Sequence, residues 1–183
     1  MNILIAFGST EGHTRKIARH MSNNLKNAGH DVELFDCSSL DSMENIARFD
    51  AIIVAGSVHQ EAHQTSVVNF VKDNLDILSD TPSSFISVSL SASLPEAKGE
   101  AESYVGKFCD ETGWQPRHVH LAGGAIRFLE YDFFKRFTIQ YMVLKGKEMP
   151  DKSAGNPEYT DWDALDAFIM QFLKNADSNV PAF

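Results

Sequence analysis

The sequence predicts an α/β protein: a doubly wound, five-stranded parallel sheet of order 2-1-3-4-5 with helices on both faces. Three observations lead there. Short apolar runs recur at Ile3 to Phe7, Val32 to Phe35, Ala51 to Ala55, Phe85 to Leu90 and Val119 to Ala122. Most are continuous rather than alternating, the pattern of strands buried on both faces. Segments of helical spacing lie between them, so βαβ units repeat and the strands run parallel.

The helices follow in order. Ile17, Met21 and Leu25 recur every four residues, and Gly29 offers a C-terminal stop. Val67, Val71, Leu75 and Leu78 form a second stripe, and Ala97, Ala101, Tyr104 and Phe108 a third. Residues Ser38 to Arg48 are consistent with a short helix or a loop. Leu165, Phe168, Ile169 and Phe172 give the last stripe, with Thr160 and Asp163 placed as a capping-box-like start. The expectation is one domain over residues 1–183, with an insertion at 126–160 after the fifth strand.

Bulk properties narrow the function. A chain of 183 residues is long enough to bury about 70 % of its unfolded surface in one core. Its 25 acidic and 16 basic side chains give a net charge of −9, which disfavours a nucleic-acid partner. Cys37 and Cys109 are distant and unpatterned, so both read as reduced packing or surface thiols. The start of the chain carries no basic region before its apolar run, and no apolar stretch is long enough to span a bilayer. A cytoplasmic protein is expected. Its oligomeric state is left open.

In a doubly wound sheet the ligand binds beyond the carboxyl ends of the strands, where the winding reverses. The first loop there is Gly8-Ser9-Thr10-Glu11-Gly12-His13-Thr14. Hydroxyls of Ser9, Thr10 and Thr14 and several backbone N–H groups converge on a helix N-terminus, which favours an anion. Gly12 lets the backbone approach closely. No lysine follows a glycine pair and no G-x-G-x-x-G occurs, so neither a nucleoside triphosphate nor a dinucleotide is expected. Helix capping by Ser and Thr is the plainer reading of the same residues. The pattern Ser-x-x-Gly-x-Thr after the first strand resembles the FMN-phosphate loop of flavodoxins. That resemblance implies FMN, held through Ser9, Thr10, Glu11, Gly12, His13 and Thr14.

The other switch-point loops are Gly56 to His63 and Ser89 to Pro95. Ser57, Val58 and His59 in one, and Ser89, Leu90, Ser91 and Ala92 in the other, would line the flavin ring. Gly123 and Gly124, ending the fifth run, complete the expected cofactor-binding set. Neither loop carries the aromatic with which a carrier flavodoxin usually covers its flavin, which suits a ring that must meet a substrate. His59 and His63 are candidates for proton exchange, although a loop histidine is more often simply solvated. His118 and His120 alternate on a strand with no carboxylate paired to them, so no metal site is expected.

Residues 126–147 hold six of the chain's 19 aromatics. Phe133, Phe134, Phe137, Tyr141 and Leu144 share a helical stripe. Arg127, Lys135, Arg136, Lys145 and Lys147 against Glu130 and Asp132 leave a local charge of +3. Three readings stand: a core-packing helix, a surface for anionic lipid or a quinone dissolved in it, and the wall of a pocket for a flat anionic substrate. In the last, Arg127 or Arg136 would bind carboxylates.

Nearly the whole chain resembles the quinone-dependent protoporphyrinogen IX dehydrogenases, flavodoxin-fold enzymes of bacterial haem synthesis. The resemblance rests on Ser87-Val88-Ser89-Leu90 with Pro95-Glu96, Trp114-Gln115-Pro116, Ala122-Gly123-Gly124-Ala125-Ile126-Arg127-Phe128, Tyr159-Thr160-Asp161-Trp162 and the insertion itself. It implies FMN, protoporphyrinogen IX as electron donor, and menaquinone or ubiquinone as acceptor. The second reading of 126–147 would bring the chain into peripheral contact with the inner face of the cell membrane. Glu61 stands where relatives often have glycine. Two other functions fit the same residues: a flavodoxin-type electron carrier and an FMN-dependent NAD(P)H-quinone reductase. No general base is assigned.

Overall fold

A computed structural model describes residues 1–40, 43, 45–125 and 158–178. The chain begins with β1 (Asn2–Gly8), α1 (His13–Asn27), β2 (Asp31–Asp36) and a single turn of 3₁₀-helix at Ile46–Arg48. Next come β3 (Ala51–His59), β4 (Ala62–His63), α2 (Thr65–Asp73), α3 (Leu75–Asp80) and β5 (Ser83–Ser89). After two 3₁₀ turns at Ser91–Ser93 and Pro95–Ala97 follow α4 (Lys98–Thr112), β6 (His118–Gly123) and α5 (Trp162–Ser178).

The long strands pair in the order β2-β1-β3-β5-β6, every pair parallel. This is the predicted 2-1-3-4-5 winding, with β4 as an addition pairing antiparallel to β3. Alternate residues of a strand face opposite sides, and here both sides are covered. Ile3, Ile5 and Phe7 pack with Ile17, Met21 and Leu25 of α1 and Leu165, Ile169 and Phe172 of α5. Leu4 and Ala6 point the other way, into a cluster with Val67, Val71, Leu78, Phe108 and Trp114. That double burial is why the strands read as unbroken apolar runs. Within the second cluster the rings of Phe85 and Phe108 stack at 4.4 Å, with Trp114 edge-on to both.

Three local expectations are corrected. The stripe from Val67 to Leu78 is two helices, because Asn74 turns its side-chain amide back to the Phe70 carbonyl at 2.8 Å and leaves helical geometry. The segment after the third strand is strand rather than loop as far as His59. It then reverses through Gln60 and Glu61, both with positive φ (49° and 67°), a two-residue hairpin without the usual Asn or Gly. The last helix is capped by Asp161, whose carboxylate accepts from the Ala164 N–H at 2.9 Å, and not by Thr160. Of Ser38 to Arg48, only Ile46–Arg48 is helical among the described residues.

Candidate functional site

The parallel register brings the carboxyl ends of β1, β3, β5 and β6 to one edge of the sheet. Gly8 lies beside Gly56, Ser57 beside Val88, and Ser89 beside Gly123. All the expected cofactor-binding positions therefore cluster along this edge. Arg127, Arg136 and the rest of 126–147 lie outside the described residues.

The first loop is held by its own atoms. The Ser9 hydroxyl oxygen accepts from the Gly12 N–H at 2.9 Å, and Gly12 adopts φ +88°, a left-handed conformation that glycine takes without strain. Gly12 then caps α1, its carbonyl receiving the Lys16 N–H at 3.0 Å. Thr14, in the first turn, is 1 % exposed, and its hydroxyl is among the few buried polar atoms with no protein partner. A buried hydroxyl without a partner is costly unless a ligand satisfies it. A phosphate oxygen at the start of α1 would do so, and it would also meet the unpaired N–H groups of the first turn. The loop fits the phosphate of FMN, with Ser9 and Thr14 as hydroxyl donors.

Two side chains tie this loop to its neighbours. The first is Gln64, just before α2. Its neighbours decide which way the amide faces: turned so that donors meet acceptors, its nitrogen donates to the Gly8 carbonyl at 2.8 Å, and its oxygen receives the Thr10 N–H at 2.8 Å, the Thr10 hydroxyl at 2.8 Å and the Ser57 hydroxyl at 2.9 Å. The opposite orientation keeps only the Thr10 hydroxyl, at 2.8 Å, and a long contact from the Ser57 N–H, at 3.4 Å. The second is His13. Its Nε2 lies 2.8 Å from the Thr160 hydroxyl, which itself donates to the Gly123 carbonyl at 2.6 Å. Because Thr160 spends its proton on Gly123, His13 must be the donor, and its proton sits on Nε2. Burial lowers the His13 pKa, only partly offset by Glu158, whose carboxylate lies 3.8 Å from Nδ1. Glu158 also pairs with Lys16.

The arm holding Glu158 and Thr160 is stitched to the end of β6. Ala125 and Glu158 form an antiparallel bridge, and the Tyr159 N–H donates to the Gly124 carbonyl at 3.0 Å. A Cβ at position 123 would overlap the Tyr159 carbonyl, and one at 124 would sit 3.2 Å from the Ser89 carbonyl carbon. The described contacts thus make the glycine pair a crossing point for two backbones.

In the loop after β5, the Ser89 hydroxyl accepts from the Ala92 N–H at 3.2 Å, and Ser91 donates to Glu100 at 2.8 Å. The Tyr104 hydroxyl joins Ser91 and Glu100. Leu90 and Ala92 are half-buried, as are Val58 and His59 at the end of β3. Glu11 and Ser57 are half-buried too, whereas Thr10 is exposed.

His63 is placed differently from the sequence expectation. It belongs to β4, is 7 % exposed, and packs at a tilt against the stacked rings of Phe85 and Phe108, with Nε2 2.9 Å from the Ser87 hydroxyl. Burial lowers its pKa to about 4, so it is neutral at ordinary pH and packs as a core residue. His59 keeps a place at the rim. Cys37 and Cys109 are both packed, and burial pushes the Cys37 thiol up to about 12. Against β6, the rings of His118 and His120 pack on Phe172 and Phe168.

Local sequence does not mark Gln64 or Glu158 as parts of the site, and Thr160, with Asp163, reads there as a helix cap.

A phosphate-fitting loop at the switch point of a 2-1-3-5-6 sheet, with the β4 hairpin beside it, defines a flavodoxin-fold protein, and the fold implies FMN as its flavin. The chain belongs to the flavodoxin domain family, whose model matches residues 4–153. It is 27 % identical over 179 residues to a protoporphyrinogen IX dehydrogenase (quinone) of Escherichia coli (strain K12), covering 97 % of each chain. A protein of the same name from Leishmania major is 29 % identical over 174 residues, covering 92 % of this chain and 73 % of that one. Among solved structures, oxidised Flavodoxin 2 from Bacillus cereus superposes with a TM-score of 0.58 at 17 % identity, covering 96 % of this chain and 99 % of that one. Oxidised Flavodoxin 1 from the same organism gives 0.57 at 14 %, with 95 % and 98 % covered. No described helix is long and apolar enough to cross a membrane.

Proposed function

We propose that the chain oxidises protoporphyrinogen IX to protoporphyrin IX with FMN and passes the electrons to a quinone, menaquinone or ubiquinone. The observation that supports this reading is the likeness to proteins of that name over 97 % of this chain in one case and 92 % in the other, where the flavodoxins share only the fold. Bound FMN would accept two electrons at a time from the porphyrinogen and return them to quinone, three times over for the full oxidation.

The chain's own residues bind and orient. Ser9 and Thr14 give hydroxyl donors to the phosphate, and the first turn of α1 adds N–H groups and a favourable dipole. Ser57, Val58, His59, Ser89, Leu90, Ser91 and Ala92 would line the ring, with Gly123 and Gly124 completing the set where they meet the arm at Tyr159. His59, at the rim, is the remaining histidine candidate for proton exchange. Arg127 and Arg136 are assigned to the substrate's carboxylates, and 126–147 to a peripheral contact with the membrane where the quinone dissolves.

The test is anaerobic. The protein is loaded with FMN and given protoporphyrinogen IX, then a menaquinone analogue. Bleaching of the flavin, growth of porphyrin fluorescence and reoxidation by quinone are expected. A flavin that binds but stays oxidised would overturn the substrate assignment and favour a carrier, or an NAD(P)H-quinone reductase if NAD(P)H bleaches it instead. Charge reversal at Arg127 and Arg136 is expected to raise the KM for porphyrinogen; unchanged turnover would remove both from the site.

A further inference from the structure

We propose that Gln64 is a positioning residue for the flavin phosphate and sets the chain's preference for FMN over riboflavin. This rests on the FMN reading above. Gln64 touches the last residue of β1, the phosphate loop and the end of β3 with one amide. Its nitrogen fixes the Gly8 carbonyl, and its oxygen gathers both donors of Thr10 and the Ser57 hydroxyl.

That combination needs a group with a donor on one side and a strong acceptor on the other, which among side chains of this reach is an amide. The neighbouring backbone is shaped to admit it: a Cβ at Gly8 would come within 2.5 Å of the Gln64 amide and would overlap Val67. Holding Thr10 and Ser57 leaves Ser9 and Thr14 to face the anion. Their oxygens stand at fixed places because Gln64 pins the strand end before them and the loop between them.

Pre-organisation of this kind acts on the ligand part that the loop binds. Riboflavin lacks the phosphate, so its affinity reports the ring-side loops alone. Loss of Gln64 should therefore weaken FMN selectively. An ionised glutamate cannot donate to the Gly8 carbonyl and adds a negative charge beside the anion seat. A protonated glutamate restores the donor and removes the charge.

The experiment measures FMN and riboflavin affinity by flavin fluorescence quenching, on the full chain. Wild type, Gln64→Ala and Gln64→Glu are compared from about pH 8 to about pH 5. Gln64→Ala should weaken FMN about tenfold and riboflavin by less than about twofold. Gln64→Glu should weaken FMN further at high pH and recover, relative to wild type at the same pH, as the pH falls. If Gln64→Ala does not fold, Gln64→Met, of similar volume but without the hydrogen bonds, carries the comparison.

Equal losses for the two flavins, or no loss of FMN affinity, would overturn the assignment while leaving FMN as the cofactor. A wild-type chain that binds riboflavin as well as FMN would overturn the phosphate seat, and this proposal with it.

Discussion

His13 and Thr160 stand 147 residues apart in sequence, yet Nε2 of one lies 2.8 Å from the hydroxyl of the other. The bond joins the first turn of α1 to the arm after the insertion, and Thr160 passes the connection on to the Gly123 carbonyl. The two sides of the site thus share one hydrogen-bonded chain.

Thr160→Val keeps the shape and removes both bonds, leaving the His13 N–H and the Gly123 carbonyl without this partner. The expected loss is about 1–3 kcal/mol. In a chain of this length that lowers Tm by about 2–4 °C per kcal/mol, read by calorimetry. A Tm equal to wild type would show that the bond is not maintained in solution.

Thr14→Val tests the phosphate seat. Its hydroxyl is buried without a protein partner, so removal costs the flavin-free fold nothing and can stabilise it. FMN affinity should fall about tenfold, with riboflavin unaffected. A parallel loss for riboflavin would point to a distorted loop instead.

His63 makes stability depend on pH. Its folded pKa of about 4 lies below the unfolded value of 6.5, so the unfolded chain binds more protons between these limits. The contribution is fully present above the unfolded pKa and is lost as pH falls through that window toward the folded one. About 2 kcal/mol should go between about pH 7 and pH 5. His63→Phe, which cannot titrate, should flatten this part of the urea-midpoint profile. A variant with an unchanged slope would assign the effect to other groups.

Glu61→Gly should stabilise. Glu61 adopts φ +67°, which glycine takes without a Cβ penalty. Its ion pair with Lys107 is exposed and long, at 3.5 Å, and so contributes little. A gain of about 1 kcal/mol is expected, seen as a Tm raised by about 2–4 °C. A lower Tm would mean that the carboxylate contributes more than the strain costs.

The frame was legible in sequence because it is written locally. Runs such as Ile3 to Phe7 are apolar on both faces since both faces are buried, and the phosphate loop declares itself through adjacent residues. What stayed hidden depends on meetings between distant segments. Gln64 reads as an ordinary polar residue before a helix until Gly8, Thr10 and Ser57 surround it. Thr160 looked like a cap because it precedes a helix, and only the fold shows His13 and Gly123 claiming its hydroxyl. The hairpin at Gln60 and Glu61 lacked the usual turn residues, so His63 was read as part of a loop when it is core.

The bridge between Ala125 and Glu158 has a consequence for how this chain can vary. The chain leaves the end of β6 and rejoins it, ahead of α5, at neighbouring points. Between two points held so close, the closure entropy of a flexible connection rises by only about 0.6 kcal/mol for each doubling of its length.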